Sequence, residues 1–258
     1  MYKLFFVTLI AATAAGVLAL QWTKRPVGIV GNEADARKVL DEAIKAHGGE
    51  VALGKIVGMR IEAKGRGHLG ELQARVSVEQ YTQGPDKIRT IAFNEDAHFV
   101  QVEVINDKIG WWKNADLPIE TLERGRLEVF REYEFTNWAI TLTPLKGNGF
   151  RLIPHGEMSV NGRPAVGILA LHDKHNPLEL YFDKETHLLV EYQRRVIDPE
   201  TGKEIQDVQS FSDYRNVQGT MQPFKVQSFT DGEKTFDIVV SDVKLYDQPF
   251  DEKVFAKP

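Results

Sequence analysis

Residues 71–81 read Glu71-Leu72-Gln73-Ala74-Arg75-Val76-Ser77-Val78-Glu79-Gln80-Tyr81. Leu72, Ala74, Val76 and Val78 alternate with Glu71, Gln73, Arg75, Ser77 and Glu79. A period of two puts the two sets on opposite faces of an extended chain, so this is a strand with one face on a core and one in water. The same period begins near Met59. Downstream, Gly84-Pro85-Asp86 turns the chain into strands over 88–93 and 98–105. Asn106-Asp107-Lys108 is the next turn, and Gly110-Trp111-Trp112 opens another strand. Strand patterns return over 163–171, 178–182, 188–196, 205–214, 224–229 and 234–245, with turns at 198–202 and at Asp231-Gly232. That makes about eleven strands joined by hairpin-length links. Such links require antiparallel pairing, and no strand–helix–strand alternation occurs. The predicted class is α+β, mainly antiparallel β.

Two stretches break the alternation. Asn32 caps a helix with Glu33 and Asp35 in its first turn. Ala36, Val39, Leu40, Ala43, Ile44 and His47 form one apolar stripe, and Gly48-Gly49 ends it. The second stretch is 116–145. Asp116 is its expected cap and Pro118 its first turn, followed by Leu122, Val129, Phe130 and Tyr133 at roughly helical spacing. Trp138, Ile140, Leu142 and Leu145 form a shorter second piece before Gly147.

Composition excludes several classes. With 42% hydrophobic and 27% charged residues the chain is globular, and its formal charge of −5 gives no basic excess for nucleic acid. There is no cysteine, hence no disulfide scaffold and no lipid-modified N-terminus. Lys3 precedes seventeen uncharged residues, 4–20, with Ala12 and Ala14, then Val17 and Ala19, at the spacing of a cleavage site. This is the layout of a signal peptide over 1–19. A linker over 20–31 and one domain over 32–258 follow. The alternative is an uncleaved anchor, at the short end of what spans a bilayer.

Motifs for chemistry are sparse. Residues 65–70, GRGHLG, match the dinucleotide-binding letters, but a strand pattern follows where that motif needs a helix N-terminus. A strand end and hairpin turn is the expectation. His172-Asp173-Lys174-His175 offers too few ligands for zinc, and a solvated turn whose imidazoles are dispensable is expected. Glu132-Tyr133-Glu134 and Glu95-Asp96 read as solvated faces. No catalytic signature is present, so no catalytic residue, metal or cofactor is expected. The aromatics say more. About ten long strands make a wide sheet, and two short helical stretches leave its concave face incompletely filled. Trp111, Trp112, Phe130 and Trp138 are the candidates for the mouth and lid of that cavity; a packed core is the alternative.

Several segments resemble the lipoprotein-carrier family of the bacterial periplasm (LolA/LolB-like proteins). Gly84-Pro85-Asp86-Lys87-Ile88-Arg89 is similar to its proline turn into a strand. Residues 104–112, VINDKIGWW, resemble its hairpin ending in tryptophan, and 180–188, LYFDKETHL, its strand–turn–strand. The ending Pro249-Phe250-Asp251-Glu252-Lys253-Val254-Phe255-Ala256-Lys257-Pro258 is similar to its tail. The resemblance implies an antiparallel half-barrel of about eleven strands, with a helical lid over an apolar cavity for acyl chains. It implies a periplasmic, non-enzymatic role in outer membrane lipoprotein sorting: a lipid or lipoprotein acyl chain as ligand, a transient envelope protein as partner, and no membrane span in the mature chain. The chain departs at Gly84, where the carrier proper has an arginine tied to lid closure, and in the length of 192–219. A structural or interaction module of the envelope is the alternative, and an envelope hydrolase a more distant one.

The mature N-terminus is expected between Ala15 and Thr23. Mass spectrometry of protein extracted from its native envelope checks this, and intact Met1 on a membrane-embedded chain would refute it.

Overall fold

The computed structural model describes residues 31–198 and 202–258. The expected signal peptide over 1–19 and almost all of the expected linker over 20–31 lie outside the described residues. Helix α1 (Glu33–Ala46) and the single turn α2 (Glu50–Leu53) open the structure. Five strands follow: β1 (Gly58–Leu69), β2 (Leu72–Gln83), β3 (Lys87–Asn94), β4 (Phe99–Asn106) and β5 (Ile109–Asn114). A two-residue strand β6 (Glu120–Thr121) leads into helix α3 (Arg124–Ala139) and a 3-10 turn, Thr143–Lys146. The chain then runs through β7 (Phe150–Val160), β8 (Arg163–His172), β9 (His175–Asp183) and β10 (Leu189–Ile197). It ends with β11 (Glu204–Val217), β12 (Thr220–Thr230), β13 (Glu233–Tyr246) and a second 3-10 turn, Glu252–Phe255.

All thirteen strands form one antiparallel sheet, ordered β6-β5-β4-β3-β2-β1-β13-β12-β11-β10-β9-β8-β7. Every neighbour is a sequential hairpin partner except β1 and β13, which join two meanders into one surface. The connection from β6 to β7 therefore runs from one edge of the sheet to the other. Laid flat, twelve gaps of about 4.8 Å would separate those edges by about 58 Å. A sixteen-residue helix is only about 24 Å long, and the residues after it are wound into turns. The sheet has to curl, and α3 then crosses its concave side. Bulges at Glu62/Ala63, Pro154/Glu157, Leu189/Glu191 and Ser228/Phe229 supply bends. The result is an open, curved half-barrel.

The first helix forms as its sequence prescribes. The Asn32 side chain accepts hydrogen bonds from the amides of Ala34 and Asp35, and the Asp35 carboxylate accepts one from the Asn32 amide. Ala36, Leu40, Ala43 and Ile44 are buried on the β7–β11 side of the sheet with Leu152, Ile168, Leu180 and Phe182. GRGHLG lies in β1 and its hairpin turn to β2. Gly65 is required there by close approach, because a Cβ would stand 2.1 Å from the Asp237 carbonyl oxygen on β13.

Three expectations need correction. The helical insert begins at Arg124, not Asp116; the intervening residues reach β6 instead. The shorter second piece is a 3-10 turn. The sheet has thirteen strands because β6 has only two residues and β7 carries Pro154 and Gly156, which break its alternation. Proline is tolerated in β7 because β7 is an edge strand with a bulge. The long 192–219 segment is mostly strand, and β11 keeps its register with β12 across Asp213, which has φ +53° and no partner in the ladder.

Gly65→Ala is expected to lower stability by roughly 1–3 kcal/mol, since backbone rather than a mobile side chain must yield. Gly125→Ala, in α3 with open space around it, is expected to be neutral or stabilising by up to about 1 kcal/mol. Denaturant unfolding of both variants checks the contrast.

Candidate ligand-binding site

The centre of the concave face is apolar. Met59, Ile61, Ala63 and Gly65 alternate inward on β1, facing Leu245, Val243, Val240 and Ile238 of β13. Val76 and Val78 of β2 continue the surface. Ala63, Phe224, Val240 and Val243 are buried, while Met59, Ile61, Val217, Ile238 and Leu245 are only partly so. Among the described residues, no side chain of α1 or α3 belongs to this cluster. Helix α1 and the second half of α3 cover the β7–β11 side, and the first half of α3 covers β3–β5. An apolar strip is left between the two covered regions.

Helix α3 meets the sheet through apolar ends and a polar middle. Leu127 and Phe130 pack with Ile88, Ile105, Trp112 and Leu122. Phe135 and Ala139 join the larger core. Between them stands Arg194 of β10, 3% exposed. Its Nε donates to Asp207 Oδ2 at 2.7 Å, and its Nη1 donates to Thr136 Oγ1 at 2.7 Å and to the Glu132 carbonyl at 3.1 Å. The guanidinium lies 3.7 Å from the centre of the Tyr133 ring. Burial alone would lower the Arg194 pKa, but Asp207, Tyr192 and Tyr133 reverse this and keep it charged. Glu132 adds a second clamp: Oε2 lies 2.9 Å from His175 Nδ1, and Oε1 accepts the Asn176 amide at 2.8 Å. The His175 ring stacks on Phe135 with centroids 3.3 Å apart. The imidazoles of the β8–β9 turn are thus not simply solvated: His175 contacts α3 through Glu132 and Phe135.

Two carboxyl groups are buried under the same helix. Glu134 of α3 is 3% exposed and Glu103 of β4 is 6% exposed. Burial pushes Glu134 up to about 8, and the nearby Glu103 adds to the rise. Burial likewise raises Glu103 to about 8, against the pull of Arg126. Among the described residues, no donor reaches the Glu103 carboxyl within hydrogen-bond distance. The expected solvated face at Glu132-Tyr133-Glu134 is corrected accordingly: Tyr133 and Glu134 point into the sheet.

The four aromatic candidates do not form one seam. Trp112 and Phe130 come together in one buried cluster, with the Arg126 guanidinium 4.6 Å over the Trp112 ring and 5.8 Å over Phe130. Trp111, one residue earlier on the strand, faces the outer side with Val102, Val104, Phe250 and Phe255. Trp138 lies at the far end of α3, 5.7 Å from Phe135 and 6.4 Å from Phe150 between ring centroids. Sequence reasoning missed Glu103, Arg126, Glu134 and Arg194. The β4 pattern misleads because it is inverted. Gln101 and Glu103 face inward with Ile105, while Val102 and Val104 face outward under the C-terminal tail.

Among the described residues no group of three or more His, Asp or Glu side chains is placed to hold a metal ion, and no helix is long and apolar enough to cross a membrane. No protein-family model matches the sequence, and no curated protein is significantly similar to it. Solved structures do share its fold. A LolA superfamily protein from Nitrosomonas europaea is 10% identical with a TM-score of 0.57, over 86% of this chain and 97% of that one. A DUF1329 family protein from Desulfovibrio piger is 11% identical with a TM-score of 0.57, over 88% and 98%. A domain described as an outer membrane lipoprotein-sorting protein, from Vibrio parahaemolyticus, is 10% identical with a TM-score of 0.53, over 88% and 98%. The protein has a LolA-like fold.

Glu103 and Glu134 hold their protons more tightly when folded, up to about 8, than at the ordinary glutamate value of 4.5. The folded chain therefore binds more protons between those values, and stability falls as pH rises through that window. Glu103→Gln and Glu134→Gln are each expected to match the parent below pH 4.5 and to exceed it above pH 8. The gain is about 1 kcal/mol or more, seen as a melting midpoint raised by roughly 2–4 °C.

Proposed function

We propose that this protein is an exported, non-catalytic binding protein of the cell envelope that carries a lipid, or the acyl chain of a lipoprotein, on its concave face. The observation that carries this reading is the apolar strip on β1, β12 and β13, which includes no side chain from either long helix. Apolar surface left between covered regions favours an apolar occupant, since each methylene moved out of water contributes about 0.8 kcal/mol. Polar ligands gain nothing comparable there, and dry apolar cavities take apolar guests. In this reading α3 is the lid, with Trp112 and Phe130 at its first turns and Trp138 at its far end. Trp111 belongs to the outer face. The fold's occurrence in a lipoprotein-sorting domain supports the periplasm as the place of action and a transient envelope protein as donor or acceptor.

A second reading is favoured by the polar clamp on α3. A helix held by Arg194, Glu132 and His175 over a closed core suits a structural or interaction module of the envelope that carries nothing.

The test is titration of the purified chain with a fluorescent fatty-acid probe. Binding at micromolar concentration, displacement by unlabelled lipid and quenching of tryptophan emission are expected. Ile238→Asp puts a charge on the strip and is expected to weaken binding at least about tenfold. Absence of binding, with no lipid in the protein extracted from its native envelope, would refute the carrier reading and favour the structural one.

A further inference from the structure

Beneath the first half and the middle of α3 lie polar atoms that the fold leaves without partners. Arg126 Nη2, Arg194 Nη2 and Gln101 Oε1 are all buried and bonded to nothing. Strand pairing and ring contacts link Gln101, Glu103 and Arg126, and Glu134 links them to Arg194 farther along the helix. Glu103 pairs directly across from Trp112 in the β4–β5 ladder, and the Arg126 guanidinium lies over that tryptophan ring. Gln101 is the next inward residue on β4. The Glu134 carboxyl is close enough to feel both Glu103 and Arg194. Leaving buried donors and acceptors unmet is costly, and three of the four such atoms among the described residues lie beneath α3, the fourth being His68 Nε2 on β1, which points to a missing partner there.

The charge of the group defines that partner. Arg194 is matched by Asp207. Arg126 has no carboxylate within 4 Å among the described residues, and burial keeps Glu103 and Glu134 in their neutral acid form near pH 7. The group thus presents one uncompensated guanidinium, a second guanidinium N–H, and two carboxylic acids able to donate. The Gln101 amide, whose Oε1 has no partner, can be turned to offer its N–H groups as well. These are donors of the kind that bind an anion. From β4 the apolar strip on β1 is three strands away, about 14 Å, within reach of a long acyl chain.

We propose that Arg126 and Arg194, with Gln101, Glu103 and Glu134, seat the carboxylate of an ionised long-chain fatty acid whose tail lies along the apolar strip. This rests on the carrier reading and specifies its ligand: a free acid rather than an ester or an alcohol. Arg126 supplies the charge and is the specificity-determining residue. Arg194 is chiefly a positioning residue, because its other nitrogens hold α3 and Asp207.

The experiment compares palmitate, methyl palmitate and hexadecanol as competitors for the fluorescent probe on the full chain, with dioleoyl-phosphatidylglycerol as a phosphate-bearing control. Palmitate is expected to bind at least about tenfold more tightly than the ester or the alcohol. Arg126→Gln is expected to abolish that preference and leave affinity for methyl palmitate unchanged, which also shows that the variant is folded. Arg126→Lys is expected to keep part of the preference. Equal binding of palmitate and its ester by the parent protein would overturn the head-group seat and leave the carrier reading standing. So would an Arg126→Gln variant with undiminished preference, or phosphatidylglycerol competing as well as palmitate. Failure of every lipid to bind would overturn both.

Discussion

The connection between β6 and β7 governs this structure. It must pass from one edge of a thirteen-stranded sheet to the other, and the single helix available is shorter than the flat sheet is wide. The sheet therefore curls around α3, and α3 is committed to the concave side. The helix is then held at its middle by the buried pair of Arg194 and Asp207 and by the stacking of Arg194 on Tyr133. A buried ion pair is a poor source of net stability, because desolvation cancels much of its attraction. Removing one partner is nonetheless costly, since the other is left charged and buried. The pair therefore fixes the position of α3 more than it stabilises the fold. The resemblance associates an arginine before the turn proline with lid closure. Here that position is Gly84 at φ +65°, a backbone conformation that disfavours arginine, and the guanidinium under the helix comes from β10 instead.

Polar groups collect under α3 because both faces of β4 are covered. Its outer face is buried by the C-terminal tail, with Phe255 fully buried against Val102 and Val104 and Lys87 paired to Glu252 at 2.8 Å. With apolar side chains already buried outside, the inward positions are free for Gln101 and Glu103. The same sheet is conventional three strands away. There Ile61, Ala63 and Ile238 face inward, and the outer face is charged, with Arg60 paired to Glu79 at 2.6 Å. The concave surface thus has an apolar tract and a group of buried polar side chains on nearby strands.

The solved structures with this fold share about a tenth of their residues with the chain. What such distant sequences hold in common is alternation, hairpin turns and curl, each satisfied by many residue types. Fold likeness at that distance says how the backbone runs. The ligand has to be argued from Arg126, Glu103 and the strip on β1 and β13.

Local physics was legible in the sequence by itself. Alternation over 71–81, the capping of α1 by Asn32, the stop at Gly48-Gly49 and the reading of GRGHLG as strand and turn all depend on neighbours a few residues apart. Each was determined before any long-range contact was considered. The tertiary structure alone decided which faces are inside. Val102 and Val104 face outward because a tail about 150 residues later in the chain covers them. Pro154 sits in a strand because β7 is an edge. Trp111 and Trp112 part because the two faces of β5 meet different covers, and Glu134 is buried because α3 has to cross the sheet. Burial at these positions is set by what the distant chain lays over them, and no periodicity within a strand carries that information.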